Sequence, residues 1–104
     1  PIALVYLEAS MITVGMNYDV RKGKEQIFEN AFRGVLRVMQ EMPGHSGSRL
    51  YRDVDDSGSY LIVSEWSDRD AFDRFVESKK FKQVTSWGEE QILTRRPRHT
   101  VYQS

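Results

Sequence analysis

The sequence predicts an α+β fold in which a four-stranded antiparallel sheet carries helices on one face. Three features predict it: an alternating apolar pattern near the start, a helical stripe that ends at Pro43-Gly44, and a hairpin followed by a second helical region. The 104 residues form one domain, because single domains contain about 100–150 residues. A domain of this size buries only about two-thirds of its unfolded surface, so we expect a second chain to cover any apolar face that remains.

The first strand begins at Met11 and alternates between apolar and polar residues. Its apolar side holds Ile12, Val14, Met16, Tyr18 and Val20, and its other side holds Thr13, Gly15, Asn17 and Asp19. Residues 1–10 are expected to be an extension, either non-native or an extra strand, because Pro1 cannot initiate a chain whereas Met11 can. Residues 11–104 are therefore expected to form the domain.

The first helix is predicted over residues 24–42, after a turn at residues 21–23. Its apolar residues recur every three or four positions and form one stripe, made of Ile27, Phe28, Ala31, Phe32, Val35, Leu36, Met39 and Met42. Pro43-Gly44 ends the helix, since this pair breaks helical backbone. We expect the stripe to pack on the sheet.

A β-hairpin is predicted next, with strands at residues 48–54 and 60–66. Residues 55–58, Asp-Asp-Ser-Gly, are typical of the turn between them. The second strand is apolar on both faces at Leu61-Ile62-Val63, which indicates that both faces are covered. The helices of one chain cover only one of those faces.

The second helical region starts after Trp66, with Ser67 as the predicted N-cap, and a break near Ser78 divides it in two. Pro97 forbids further helix, and residues 100–102 close the sheet as the last strand. The order strand, helix, strand, strand, helix, strand is that of a ferredoxin-like βαββαβ fold. Its open sheet face predicts a homodimer whose sheets pack face to face as an α+β barrel.

Composition excludes several classes of function. Fifteen Lys and Arg balance fifteen Asp and Glu, which argues against nucleic-acid binding because phosphate contacts need an excess of positive charge. The chain has no cysteine, which excludes disulfide scaffolds, thiolate catalysis, zinc fingers and iron–sulfur clusters. The apolar run at residues 2–7 is too short to span a bilayer and lacks a basic region before it. We therefore expect a cytoplasmic protein without membrane contact.

No metal site is predicted. Residues 53–58 imitate the start of a calcium loop, but the required glutamate would fall at Ser64, and a hairpin turn accounts for these residues. The two histidines lack a ligating spacing. His45 is either a general base or an exposed loop residue. The basic segment at residues 95–99 either attracts an anion or is a solvated surface.

Three segments between Met11 and Tyr102 carry a family resemblance. They are the opening strand with Arg21-Lys22-Gly23, the stretch 42–53 that begins Met-Pro-Gly-His-Ser-Gly, and the stretch 60–81 in which a strand ends at Trp66 before Ala71-Phe72 on a helix. In these segments the chain resembles the antibiotic biosynthesis monooxygenase family, a group of small dimeric α+β-barrel proteins. Similar proteins include cofactor-independent oxygenases, haem-degrading enzymes and proteins with no known chemistry.

The resemblance implies a cofactor-independent monooxygenase that acts on an aromatic or quinol-like small molecule. Such a molecule, once deprotonated, can pass an electron to oxygen directly. The protein then needs to bind a flat ring, exclude water and stabilise the resulting anion. A pocket between sheet and helices, lined by aromatic residues and a few polar groups, meets these needs.

Six residues are the candidate site residues under this hypothesis. The predicted catalytic residues are Asn17, Trp66 and Tyr51, and the predicted substrate-binding residues are Phe75, Arg49 and Phe72. Each has a structural alternative: Asn17 can bond a neighbouring loop, the rings at 66, 72 and 75 fit a core, and residues 49 and 51 can lie at a dimer rim. Oxygen consumption with quinols, and its loss in Asn17→Ala, would support the assignment.

Haem binding or degradation is the alternative within this family, and a non-catalytic ligand-binding or structural dimer is another. The haem-degrading pattern has an Asn on the first strand, then a Trp and a haem-ligating His on the helix after the hairpin. Asn17 lies one residue from the first position, and Phe75 and Thr85 hold the other two. A one-residue offset reverses the strand face unless a bulge restores it. No cofactor is therefore expected, and haem enters only under the alternative.

Overall fold

The computed structural model describes residues 11–103, so the expectations for residues 1–10 lie outside it. The elements in chain order are β1 (Ile12–Asp19), α1 (Glu25–Glu41), β2 (His45–Arg52), β3 (Ser59–Trp66), α2 (Arg69–Val76), α3 (Lys79–Gln91) and β4 (Arg98–Gln103). The strands lie in the order β2-β3-β1-β4, and every pairing is antiparallel. The predicted ferredoxin-like α+β fold is confirmed.

The sheet separates a buried face from an open one. The pairing of β1 with β3 has no register shift along its whole length. Ile12, Val14 and Met16 are buried beneath the helices, as the alternating pattern predicts. Asn17 points to the opposite side, which we call the open face and which also carries Leu61. The absence of a bulge in this pairing keeps Asn17 away from the helices.

The edge strand β2 begins earlier than the sequence predicts. It starts at His45, which pairs with Trp66, and a register shift between His45 and Gly47 accommodates one extra residue. In the turn that follows, one carboxylate oxygen of Asp53 accepts the backbone N–H groups of Asp55 and Asp56, at 2.8 and 3.0 Å. The acidic residues that imitate a calcium loop therefore form the hairpin turn.

Side chains cap the two helices that follow the hairpin. Asp68, not the predicted Ser67, caps α2, since its carboxylate accepts the backbone N–H of Ala71 at 2.8 Å. Ser78 caps α3 by accepting the N–H of Phe81 at 3.2 Å, which explains the predicted break at this position. Among residues 11–103, no helix has the length and apolar character needed to cross a membrane.

Carboxylates engage the basic segment that precedes β4. Asp19 lies 3.3 Å from Arg95 and 3.1 Å from Arg98, and Glu89 lies 3.6 Å from Arg96. Exposed pairs of this kind contribute little stability individually. They nevertheless place acidic groups beside the arginines that would attract an anion.

Candidate functional site

An apolar cleft opens between α1, α3 and the sheet. Its empty space amounts to about 480 Å³, a volume that includes open solvent at its mouth. No charged side chain lines it; the lining includes Tyr18 and Ile62 from the sheet, Phe28 and Phe32 from α1, and Val84 and Thr85 from α3. This apolar cleft is the best candidate for a ligand site among the described residues.

Three of the six predicted site residues lie in the core beside the cleft and do not line it. Trp66, Phe72 and Phe75 are 0%, 1% and 2% exposed. The Trp66 ring stacks on Phe75 at 5.3 Å between centroids, and its indole N–H donates to Ser64 Oγ at 3.0 Å. Phe75 contacts the cleft wall through Phe81, whose centroid is 4.9 Å away.

The other three predicted residues lie on the open face. Arg49 and Tyr51 alternate with Leu50 along β2 and line shallow depressions at the edge of the sheet. Asn17 lies on β1, and Leu61 of β3 separates it from Tyr51 in the same cross-strand row. Within one chain the six residues therefore do not form one pocket, because the sheet itself stands between the two groups.

Two tyrosines that pair across β1 and β3 lie beside the floor of the cleft. Tyr18 is opposite Tyr60, and their rings lie 5.2 and 4.7 Å from the ring of Phe28. The Tyr60 hydroxyl donates to the carboxylate of Glu29 at 2.7 Å. Burial and then this bond raise the pKa of Tyr60, whereas burial alone raises the pKa of Tyr18 to about 12. Both hydroxyl groups are therefore protonated at neutral pH.

The sequence pattern assigns Tyr18 only to the buried stripe of β1 and gives no sign of the cleft that it lines. Thr85 is also a cleft residue. One signal was available, because a tyrosine on a buried strand face carries a hydroxyl that needs a partner. The cleft itself depends on how α3 sits beside α1, which local spacing does not encode.

His45 is half-buried at the start of β2 and does not line the cleft. Its Nε2 shares a hydrogen bond of 2.8 Å with Ser48 Oγ, and its ring stands edge-on to Trp66 at 4.9 Å. Burial lowers the pKa of His45, and a backbone hydrogen bond with Gly47 partly opposes this. The neutral ring is thus the form that suits the folded protein.

We expect His45 to make the fold less stable as the pH falls below 6.5, its ordinary pKa. The unfolded chain then takes up a proton that the folded chain, with the lower pKa, does not yet bind, and this difference favours unfolding. Urea unfolding at pH 7.5, 6.5 and 5.5 measures the free energy of unfolding. Between pH 7.5 and 5.5 this free energy should fall less in His45→Gln than in the wild type. His99→Gln is the control, and an equal pH dependence in all three proteins would contradict the prediction.

The residues around the cleft do not fit a haem group. Haem iron is usually held by a His, Cys, Met or Tyr side chain, and of these only Tyr18 lines the cleft, where burial keeps it protonated. His45 packs against Trp66 and His99 against Phe72, so neither faces the cleft. Within residues 11–103, no three His, Cys, Asp or Glu side chains group together as metal ligands.

Comparison with known sequences relates the chain to oxygenases and to larger proteins. A "Putative heme-binding protein" from Natronomonas pharaonis is 33% identical over 92 residues, which are 88% of this chain but only 15% of that protein. Deoxynogalonate monooxygenase from Streptomyces nogalater is 28% identical over 75 residues, or 72% of this chain and 63% of that enzyme. The chain therefore spans a small part of the relatives whose names mention haem.

Solved structures share the fold. A conserved protein from Methanosarcina mazei superimposes with a TM-score of 0.86 at 19% identity, over 96% of this chain and 98% of that one. SnoaB, a cofactor-independent oxygenase from Streptomyces nogalater, gives a TM-score of 0.80 at 24% identity, over 92% and 94% of the two chains. Residues 11–87 match the sequence profile described as Antibiotic biosynthesis monooxygenase. Because this match covers most of the 104 residues, the chain belongs to the antibiotic biosynthesis monooxygenase family.

Proposed function

We propose that this chain is a cofactor-independent monooxygenase and that its substrate, an aromatic or quinol-like small molecule, binds in the apolar cleft. The observation that carries the proposal is the cleft itself, which combines ring-lined walls with hydroxyl groups and no charged side chain. Such a lining favours a flat, mainly apolar molecule. Membership of the family supports the reaction class.

The proposed reaction needs no group other than the substrate and oxygen. A phenol that has given up its proton to solvent passes one electron to O₂, and the resulting radical pair forms a carbon–oxygen bond. The peroxide anion formed in this way takes a proton back from solvent. Loss of water then leaves a quinone, so that one oxygen atom enters the product and the other leaves as water. The protein contributes by holding the ring in a dry site and by donating hydrogen bonds to its developing negative charge.

The six residues predicted from the sequence keep distinct proposed roles. Trp66, Phe72 and Phe75 support the cleft from the core, since Phe75 packs on the cleft residue Phe81. The open-face residues, Asn17, Tyr51 and Arg49, would act on substrate only if a ligand bound on that face. The assay below distinguishes these two locations.

We propose in addition that two copies associate through their open faces as a homodimeric barrel. Tyr51 and Tyr102 are large and half or more exposed on this face, at 50% and 59%. Leu61 and Val63 of β3 lie between them and add apolar surface that a partner would cover. Light scattering should give the mass of two chains.

A cytoplasmic location stays a prediction as well.

Oxygen uptake by the purified protein tests the function. We expect consumption of O₂ with at least one member of a panel of quinols and polyphenols, in the presence of a metal chelator. Val84→Phe, which adds a ring at the mouth of the cleft, should reduce this rate about tenfold by obstructing the substrate. Val84 is already 37% exposed, so the fold should tolerate the change.

Val54→Phe is the matched control, because Val54 is 99% exposed in the hairpin turn and remote from the cleft. This variant should consume oxygen at the wild-type rate. Loss of activity in Asn17→Ala together with full activity in Val84→Phe would move the site to the open face. A wild-type protein that consumes no oxygen with any substrate would leave a ligand-binding or structural dimer as the function.

Haem binding is the second candidate, favoured by the names of the relatives from haloarchaea. This chain corresponds to only 15% and 17% of those two proteins, so their names do not locate haem in the shared part. The cleft residues also lack a suitable ligand. We expect no Soret shift when haemin is added, and a stoichiometric shift would favour the haem-binding function instead.

A further inference from the structure

Tyr18 lines the apolar cleft, and among residues 11–103 its hydroxyl has only a weak hydrogen-bond partner. Its contact is with the sulfur of Met16, at 3.9 Å between Oη and Sδ. A thioether is a weak acceptor, and good hydrogen bonds between oxygen atoms are about 1 Å shorter. Buried polar groups usually have a strong hydrogen-bond partner. A ligand in the cleft could supply the acceptor that this hydroxyl lacks.

Tyr60 provides an internal comparison, since it lies directly opposite Tyr18 and contacts the same ring of Phe28. The hydroxyl of Tyr60 is 2.7 Å from the carboxylate of Glu29, which Arg52 approaches to 3.8 Å. Tyr60 therefore has a charged acceptor supplied by α1, whereas the described residues offer the Tyr18 hydroxyl only a thioether. Packing against Phe28 would be achieved equally by a phenylalanine at position 18.

The lining of the cleft restricts the chemistry of the missing acceptor. No charged side chain lines it, so a carboxylate or phosphate would lose its hydration without gaining a counter-charge. The rings of Phe28 and Phe32 suit a flat aromatic molecule. Thr85 adds a second hydroxyl from α3. A carbonyl or phenolic oxygen attached to a ring meets all of these conditions.

We propose that the Tyr18 hydroxyl donates a hydrogen bond to a carbonyl or phenolic oxygen attached to the substrate's ring. This bond selects oxygenated aromatic molecules over hydrocarbons of similar shape. The inference rests on the proposed function, because it takes the cleft as the substrate site. Tyr18 is then a specificity-determining residue that directs the oxygen-bearing edge of the ring toward the sheet. Since burial raises its pKa to about 12, it stays a donor throughout the neutral range.

Tyr18→Phe tests this role, because it removes the hydroxyl and leaves the ring against Phe28. Equilibrium dialysis measures the binding of 1,4-naphthoquinone and of naphthalene, which share a ring system but differ in the two oxygens. We expect the wild type to prefer the quinone and Tyr18→Phe to bind it about tenfold more weakly, with no change for naphthalene. Ser57→Ala, which removes an exposed hydroxyl in the hairpin turn, should behave as the wild type.

The outcomes distinguish a failure of this inference from a failure of the proposed function. An unchanged preference for the quinone in Tyr18→Phe would overturn the role of Tyr18 and leave the oxygenase proposal standing. A wild-type protein that binds neither molecule and consumes no oxygen with any member of the panel would overturn both. Thermal unfolding of Tyr18→Phe should match that of the wild type, since the lost contact is weak, and this result would exclude a loss of fold as the cause of weaker binding.

Discussion

Trp66→Ala is expected to lower the free energy of unfolding by about 4 kcal/mol. The substitution removes a large ring from a site that is 0% exposed, and the rings of Phe72 and Phe75 around it cannot collapse fully into the cavity. Domains are stable by about 5–15 kcal/mol in total, so this loss leaves little margin. Urea unfolding at pH 7.5 measures it, and a variant as stable as the wild type would contradict the core position of Trp66.

Trp66→Phe separates packing from chemistry at the same site. This variant keeps an aromatic ring, but the hydroxyl of Ser64, which is 2% exposed, loses the indole N–H as its partner. We expect a loss of about 2 kcal/mol and a folded protein. If it is folded but consumes no oxygen where the wild type does, the indole has the chemical role that the sequence predicts. If it retains activity, Trp66 acts only as support.

Gly44→Ala is expected to cost about 3 kcal/mol, because two effects add at this position. Gly44 has a φ of 91°, and a residue with a side chain pays about 1–2 kcal/mol in this left-handed region. The new Cβ would also lie 2.5 Å from Cβ of Ala71 and 2.7 Å from Oγ of Ser67. Overpacking of this kind costs about 1–3 kcal/mol more. The turn has little freedom to move away, since the N–H of Ser67 donates to the carbonyl of Gly44 at 2.7 Å.

Gly23→Ala is the matched control for the steric part of this effect. Its φ of 88° is almost the same, but no atom lies within 4 Å of the position that a Cβ would take. We expect a loss of about 1–2 kcal/mol, from the backbone alone. Chemical denaturation of both variants gives the difference, and equal losses would show that the contact of Gly44 with α2 is not the reason for a glycine there.

Much of the fold was predictable because local patterns report directly on secondary structure. The alternating pattern of β1 correctly separates buried Met16 from Asn17 on the open face, and the break at Ser78 is the cap of α3. Predictions of element boundaries and caps failed where a contact between residues far apart in the chain, or the reach of one side chain, determines them. The strand β2 extends back to His45 because it pairs there with Trp66. Asp68 replaces Ser67 as the cap because its carboxylate reaches the N–H of Ala71.

The candidate site was less predictable, because a site depends on side chains from several elements. The sequence analysis predicts Asn17 and Trp66 as residues of one catalytic site, but the two lie on opposite faces of one sheet. Tyr18, the neighbour of Asn17, lines the cleft because α1 and α3 leave a gap above it. A local sequence pattern determines neither the register between strands nor the spacing of two helices.

By itself the sequence determined the order of strands and helices, the face of each strand that is buried, and the family to which the chain belongs. Periodicity and turn residues suffice for the first two, because they act over only a few positions. The family follows from the resemblance carried by the three segments between Met11 and Tyr102. The tertiary structure alone decided that Trp66 is core, that Tyr60 has an acidic partner and that Tyr18 has none of comparable strength in the part of the chain that the structure describes. Such differences between similar residues arise from atoms far apart in the chain, and only the packed fold brings those atoms together.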